Sequence, residues 1–337
     1  MEAKTQIFDL HCDTLDRLAW PLLPQEINGG SWFHGPNDDE FLRPGELGDF
    51  KTNACHLSLE NMSQFAWTQC LAVFIPDGLT PEQSAQFFEV VSQTLPIHVQ
   101  ANPELLAVAR DAAEIQDILN KGQTAGLLTI EGGTLLAAAP DMCERIAQAG
   151  VKMLTLTWNG ANPLGSGNQT SQGLTAFGRR IIGELEDRKI VVDVSHLNDQ
   201  GFEDLLKTAR RPFAASHSNS REICNVPRNL TDDQFRAIRD SGGIVGLNFF
   251  NIFLSQEHED PTKEDMLAHI EHWLDLDGHD TVALGSDYDG CDVASWLNPC
   301  SKVADLAQLF EKHFGKELAE KILFKNAHEF FLRNERD

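Results

Sequence analysis

The sequence predicts an α/β protein built as a (β/α)8 TIM barrel. Three observations carry this expectation. Eight short apolar segments alternate with stretches of helical spacing along the 337 residues. The first segment lacks the Gly-rich phosphate turn that usually marks a doubly wound open sheet. Histidines and acids stand at the ends of several segments, where an α/β barrel keeps its chemistry. Residues 1–337 are expected to form a single barrel domain with a long loop insertion at about 20–50.

The first strand is Ile7-Phe8-Asp9-Leu10-His11-Cys12-Asp13-Thr14. Side chains alternate on a strand, so His11 and Asp13 share a face and Cys12 packs on the other. A Gly/Pro-rich segment from Pro21 to Asp49 follows, with Trp32 and Phe33 among turn residues. Its length suits a functional loop over a site. Thr68–Ile75 reads as the second strand, with helices expected over Pro81–Ala101 and Asn102–Lys121. Thr124–Glu131 is the third, and a helix around Met142–Ala149 leads to the fourth, Val151–Thr157. A polar loop, Asn159–Gly173, precedes a helix around Ala176–Arg188 and the fifth strand, Lys189–Ser195. Helix Asp199–Arg210, the sixth strand Pro212–Ser216 and a helix capped by Thr231 come next. Gly243–Phe249 is the seventh strand; a helix ending near Leu276 leads to the eighth, Thr281–Ser286, and the rest is helical.

Composition narrows the partners. The net charge is −24, from 51 acids and 27 bases, which argues against nucleic acid or an anionic membrane surface. It suits a protein that meets small molecules. The seven cysteines form no CxxC pair, as expected of reduced thiols in the cytoplasm. There is no signal-peptide pattern, no long apolar run and no lipid-anchor motif, so no membrane association is expected.

The strand ends assemble a constellation. Strand one offers His11 and Asp13, strand three Glu131, strand five His196, strand six His217, and strand eight Asp287 and Asp289. Any one of these alone reads as a satisfied polar residue or a turn. Their coincidence at matching strand ends points to a metal centre. Imidazole and carboxylate suit zinc and similar divalent ions. Two ions about 3.5–4 Å apart need a bridging carboxylate, and the water between them becomes acidic enough to attack a carbonyl. A further carboxylate must move the proton to the leaving group.

These residues resemble the membrane dipeptidase (renal dipeptidase, peptidase M19) family of the amidohydrolase superfamily. The matching pieces are Asp9-Leu10-His11-Cys12-Asp13, Glu131-Gly132, Leu154-Thr155-Leu156-Thr157, Asp193-Val194-Ser195-His196, Ser216-His217-Ser218, Arg228-Asn229 and Gly285-Ser286-Asp287-Tyr288-Asp289-Gly290. The resemblance implies two zinc ions, one held by His11, Asp13 and Glu131, the other by Glu131, His196 and His217, with Glu131 as the bridge. It implies Asp287 as acid/base, with Asp289 as the alternative two residues on. It implies that Arg228 grips the carboxylate of a dipeptide; the planar guanidinium fork suits that group. A tolerance for a D-residue at the C-terminal position and a homodimer are also implied.

One position departs from the family. Its well-known members carry a histidine after Thr-Leu-Thr, where this chain has Trp158 followed by Asn159. Tryptophan offers one N–H donor and an apolar wall and carries no titrating proton. Trp158 is therefore expected to line the substrate pocket, and Asn159 or Asn162 to supply the missing donor. His34 is a candidate for the substrate entrance, while His269 and His272 read as a solvated helix face. The expected activity is hydrolysis of dipeptides, including L-D dipeptides, by a hydroxide between the zinc ions. The alternatives are another metal-dependent amidohydrolase, acting on N-acyl amino acids, lactams or related amides, and a non-catalytic barrel that binds a metal or small ligand.

Overall fold

The computed structural model describes residues 4–28 and 49–336. Nine parallel strands form its sheet: β1 Gln6–Asp9, β2 Ala66–Phe74, β3 Leu106–Val108, β4 Thr124–Glu131, β5 Met153–Thr155, β6 Val191–Asp193, β7 Ala214–Ala215, β8 Ile244–Leu247 and β9 Val282–Leu284. Eight of them close into a barrel in the order β2-β1-β9-β8-β7-β6-β5-β4, and β2 pairs with β4 from Thr68↔Ala125 to Phe74↔Glu131 to complete the ring. All eight expected strands are present in the expected order.

The ninth strand is a correction. Residues 102–121 were expected to form one helix, and their composition favours it. Instead Leu106–Val108 runs along the first half of β4, from Leu106↔Thr124 to Val108↔Gly126. The Asp111 side chain then accepts from the Glu114 N–H and starts a helix at Ala112–Asn120. A free edge of β4 outweighed local propensity. The helix expected over residues 81–101 is also two, Pro81–Ser92 and Thr94–Ala101.

Several helix starts are written locally. Thr80 with Gln83, Thr231 with Gln234 and Thr262 with Asp265 each form a reciprocal capping box. One apolar cluster takes residues from all eight barrel strands, among them Phe8, Cys70, Leu127, Met153, Val191, Ala214, Ile244 and Ala283. The same cluster includes Phe324, Ala327, Phe330 and Phe331 from the end of the chain. Phe8 stacks on Phe331 with ring centroids 5.6 Å apart. These rings plug the mouth at the N-terminal ends of the strands. The other strand faces, with Leu71, Ile130, Leu154, Val192 and Val245, pack against the surrounding helices.

His269 is a second correction. It is fully buried rather than solvated: its Nδ1 accepts from the Ser220 N–H at 3.1 Å and its Nε2 lies 3.0 Å from the Leu254 carbonyl. His272 pairs with Asp232 at 2.8 Å. Most of the expected loop over 20–50, including Trp32, Phe33 and His34, lies outside the described residues. Within it, Trp20–Leu22 and Gln25–Asn28 are short helical turns. Among the described residues no helix is long and apolar enough to cross a membrane.

Candidate metal centre

The C-terminal ends of the strands bring six of the expected residues into one buried cluster. His11 Nε2 lies 3.5 Å from Asp13 Oδ2, 3.3 Å from Glu131 Oε2 and 3.8 Å from Asp287 Oδ1. Glu131 Oε1 is 2.7 Å from His196 Nε2 and 3.7 Å from His217 Nε2. The two carboxylate oxygens of Glu131 thus face opposite halves of the cluster. Among the described residues, His11, Glu131 and His217 form one group of converging donor atoms, and His11, Asp13 and Asp287 another.

Two buried Asp–Ser clasps build this mouth. Asp193 at the end of β6 accepts the Ser216 N–H at 2.8 Å and the Ser216 hydroxyl at 2.6 Å from the neighbouring strand end. Asp9 at the end of β1 accepts the Ser286 N–H at 2.7 Å and its hydroxyl at 2.6 Å. The register is the same in both. Asp193 pairs with Ala214 and Asp9 with Leu284, each two residues before the serine. The next residue after each serine is a cluster residue, His217 or Asp287. Sequence reading quoted these aspartates and serines without giving them a role; the recurrence of Asp-x-His and Asp-x-Ser beside Ser-His and Ser-Asp was the available signal.

The backbone is strained where the chain turns into the site. His196, Asp287 and Asp289 hold positive φ values of 68°, 62° and 69°. Non-glycine residues adopt this region at a cost that surrounding contacts must offset. Gly290 is required for space: a Cβ there would lie 2.1 Å from Asp13 Oδ2 and 2.5 Å from Asp287 Oδ1.

The electrostatics follow from burial and crowding. Burial disfavours the Glu131 carboxylate, but the His196 and His11 imidazoles, when protonated, outweigh it and hold its pKa well below the usual range. Burial, reinforced by Asp13 and Glu131, pushes Asp287 up to about 7 against the opposing pull of His11. Burial, with the Arg228 guanidinium nearby, lowers His196 to about 4.

The donor set fits divalent cations. Ser216 donates its single hydroxyl proton to Asp193, so the 2.7 Å contact between Ser216 Oγ and His217 Nδ1 requires the hydrogen on Nδ1. Asn159 Oδ1 lies 2.9 Å from His196 Nδ1, which sets the same tautomer. Both Nε2 atoms then present lone pairs to each other at 3.0 Å, an arrangement that calls for a cation between or beside them. Among the described residues, His11 Nε2 and Asp13 Oδ1 are buried without hydrogen-bond partners.

The remaining expected residues lie around this cluster. Arg228 is buried, donates to Ser218 Oγ at 3.1 Å and to the His217 carbonyl at 3.2 Å, and among the described residues its Nε has no partner. Trp158 meets Phe74 edge-on at 5.0 Å, with its ring 6.4 Å from that of His196. Asn162 is used inside its own loop, accepting from the Leu164 N–H at 2.8 Å. Asp289 is engaged elsewhere: its oxygens accept from the Thr14 hydroxyl at 2.5 Å and the His56 N–H at 2.6 Å.

Comparison with known proteins agrees with this geometry. Residues 2–333 match the family described as membrane dipeptidase, peptidase family M19. A Klebsiella pneumoniae protein, named as an uncharacterized protein in the pqqA 5′ region, is 35% identical over 233 residues, 66% of this chain and 86% of that protein. The crystal structure of a Rhodobacter sphaeroides metallopeptidase liganded with a phosphinate mimic of the dipeptide L-Ala-D-Ala superposes with a TM-score of 0.85 at 26% identity, covering 98% of this chain and 99% of that one. A second structure, a dipeptidase AC of metallopeptidase family M19, gives a TM-score of 0.84 at 26% identity over 98% of this chain and 99% of that one. With the barrel and its buried His/Asp/Glu mouth in place, the match over nearly the full sequence means that this chain belongs to the membrane dipeptidase family, peptidase family M19.

Proposed function

We propose that this protein is a zinc-dependent dipeptidase. His11, Asp13 and Glu131 would hold one zinc, and Glu131, His196 and His217 the second, with Glu131 between them. The observation that carries the reading is the pair of imidazole lone pairs facing each other beside Glu131 Oε1, with separations of 3.0 Å and 2.7 Å. Bound cations supply Lewis acidity: they acidify water toward neutral pH and polarise the scissile carbonyl.

The chain's own groups do the rest. Asp287 takes the proton from the attacking water and passes it to the departing amine. Its Oδ2 is held by Asn248 Nδ2 at 3.0 Å, leaving Oδ1 on the His11 side. Arg228 fixes the carboxylate of the substrate, and gripping a short molecule by its terminal charge supplies much of its orientation. Trp158 forms an apolar wall of the substrate pocket. The L-Ala-D-Ala mimic bound by the Rhodobacter relative supports acceptance of a D-residue at the C-terminal position. The seven free cysteines favour a reducing compartment, the cytoplasm. The homodimer is proposed from the family resemblance alone, and light scattering checks it.

The test is a panel of L-L and L-D dipeptides given to zinc-loaded protein, with and without chelator. Hydrolysis that disappears on chelation is expected; inertness toward the whole panel sinks the proposal. Arg228→Met separates a dipeptidase from an amidohydrolase for uncharged amides. For a dipeptide, losing a buried charge-assisted contact costs about 2–5 kcal/mol of binding, which raises KM on the order of 30-fold or more. An uncharged amide would barely respond.

A further inference from the structure

Asn159 is engaged through its side-chain oxygen, the acceptor end of the amide rather than the donor end expected to meet substrate. Its Oδ1 lies 2.9 Å from His196 Nδ1 and accepts from Asn168 Nδ2 at 3.0 Å. An amide that accepts from Asn168 turns its oxygen, not its NH2, toward the imidazole. His196 then carries its hydrogen on Nδ1 and aims the Nε2 lone pair at Glu131 Oε1. The backbone behind Asn159 is pinned as well. Its carbonyl accepts the Gln169 N–H at 2.9 Å, and the Gly160 carbonyl accepts the Gly167 N–H at 2.7 Å. Asp77 Oδ2 holds the Gly160 N–H at 2.6 Å. The loop closes this tightly because residue 167 is glycine; a Cβ there would sit 1.8 Å from the Trp158 carbonyl.

His196 needs such support more than its partner does. His217 is oriented by the Ser216–Asp193 clasp inside the barrel wall. His196 stands just past β6 on a residue with φ of 68°, and its ring is steadied from another loop. We infer that Asn159 is a positioning residue: it fixes the tautomer and tilt of His196 and thereby sets the affinity for the zinc that His196 and His217 share. This rests on the reading of His196 as a zinc ligand. Partners that orient a metal-bound imidazole from behind are worth about 10–100-fold in metal affinity.

The experiment titrates zinc into metal-stripped protein by calorimetry and follows dipeptide hydrolysis at saturating zinc. Wild type is measured first; uptake of a single equivalent would overturn the two-zinc reading itself, whatever Asn159 does. Given two equivalents, Asn159→Leu is expected to weaken the second by about 10–100-fold while the first holds. Excess zinc should restore part of kcat with KM unchanged, and Asn159→Asp, which keeps the acceptor, should restore binding. A folded Asn159→Leu protein that holds both equivalents as tightly as wild type overturns the inference. So does a variant with intact zinc binding and a raised KM, which would make Asn159 a substrate contact. Should Asn159→Leu fail to fold, Asn168→Ala decides: a weakened second equivalent is expected, and unchanged binding refutes the role.

Discussion

The two mouths of the barrel are built on opposite principles. At the N-terminal end of the strands, rings and aliphatic side chains from all eight strands pack against Phe324, Phe330 and Phe331. The closing helix is fastened there by Asn326 Nδ2, which donates to the Val282 carbonyl at 2.8 Å, and by Lys189 Nζ, which donates to the Glu335 carbonyl at 2.6 Å. At the other end, carboxylates and imidazoles are buried within a few ångströms of one another and three non-glycine residues hold positive φ. One end contributes stability, and the other holds crowded charge and strained backbone that the rest of the fold must tolerate. A barrel divides these tasks because its strands run in parallel, so all their C-terminal ends meet on one side.

This division predicts that the two ends fail differently. Asp287→Asn, at the reactive end, should lower kcat by about 10²–10⁴-fold. Its melting temperature should hold or rise, since an acid that burial pushes up to about 7 is replaced by a neutral amide. A variant that melts markedly earlier would show that the reactive end also holds the fold together. Phe331→Ala, at the plugged end, should cost about 3–5 kcal/mol of stability with kcat unchanged in the fraction that remains folded. Urea unfolding and turnover measured on one preparation check this, and a matching fall in kcat would break the division.

His269 sharpens the boundary between the ends. It ties the Ser220 N–H to the Leu254 carbonyl in the loops above β7 and β8. Burial lowers its pKa from 6.5 to about 4, so the unfolded chain takes up the proton first as pH falls. Its stabilising effect is whole above about pH 6.5, declines as the medium becomes more acidic and is gone below about pH 4, a loss of about 3 kcal/mol. His269→Gln should remove that part of the acid sensitivity between pH 7.5 and 4.5. Equal losses in the two proteins would mean that other groups set the acid limit.

Much of this was legible in the sequence, for physical reasons that also mark where it stopped. Buried strands show as short apolar runs, and His11, Glu131, His196, His217 and Asp287 stand at their ends, so the barrel and the converging cluster could be read locally. Leu106–Val108 could not, because its extended form depends on the free edge of β4. His269 was misread because an i, i+3 histidine pair on a helix looks the same whether the covering loops lie over it or not. Asn159 was visible as a residue beside Trp158, but the direction of its amide is set by Asn168, nine positions on. Side-chain relays of this kind are decided by three-dimensional neighbours rather than by spacing.

The Asp–Ser clasps have a use beyond this enzyme. Asp193 reaches the strand that follows it around the ring, and Asp9 reaches the strand that precedes it. The device therefore works toward either neighbour. It asks only for an acid at one strand terminus and a serine two residues past its paired position on the next. That makes it a portable joint: a designer grafting a histidine or aspartate onto the rim of an artificial barrel has here a three-residue recipe for holding it still.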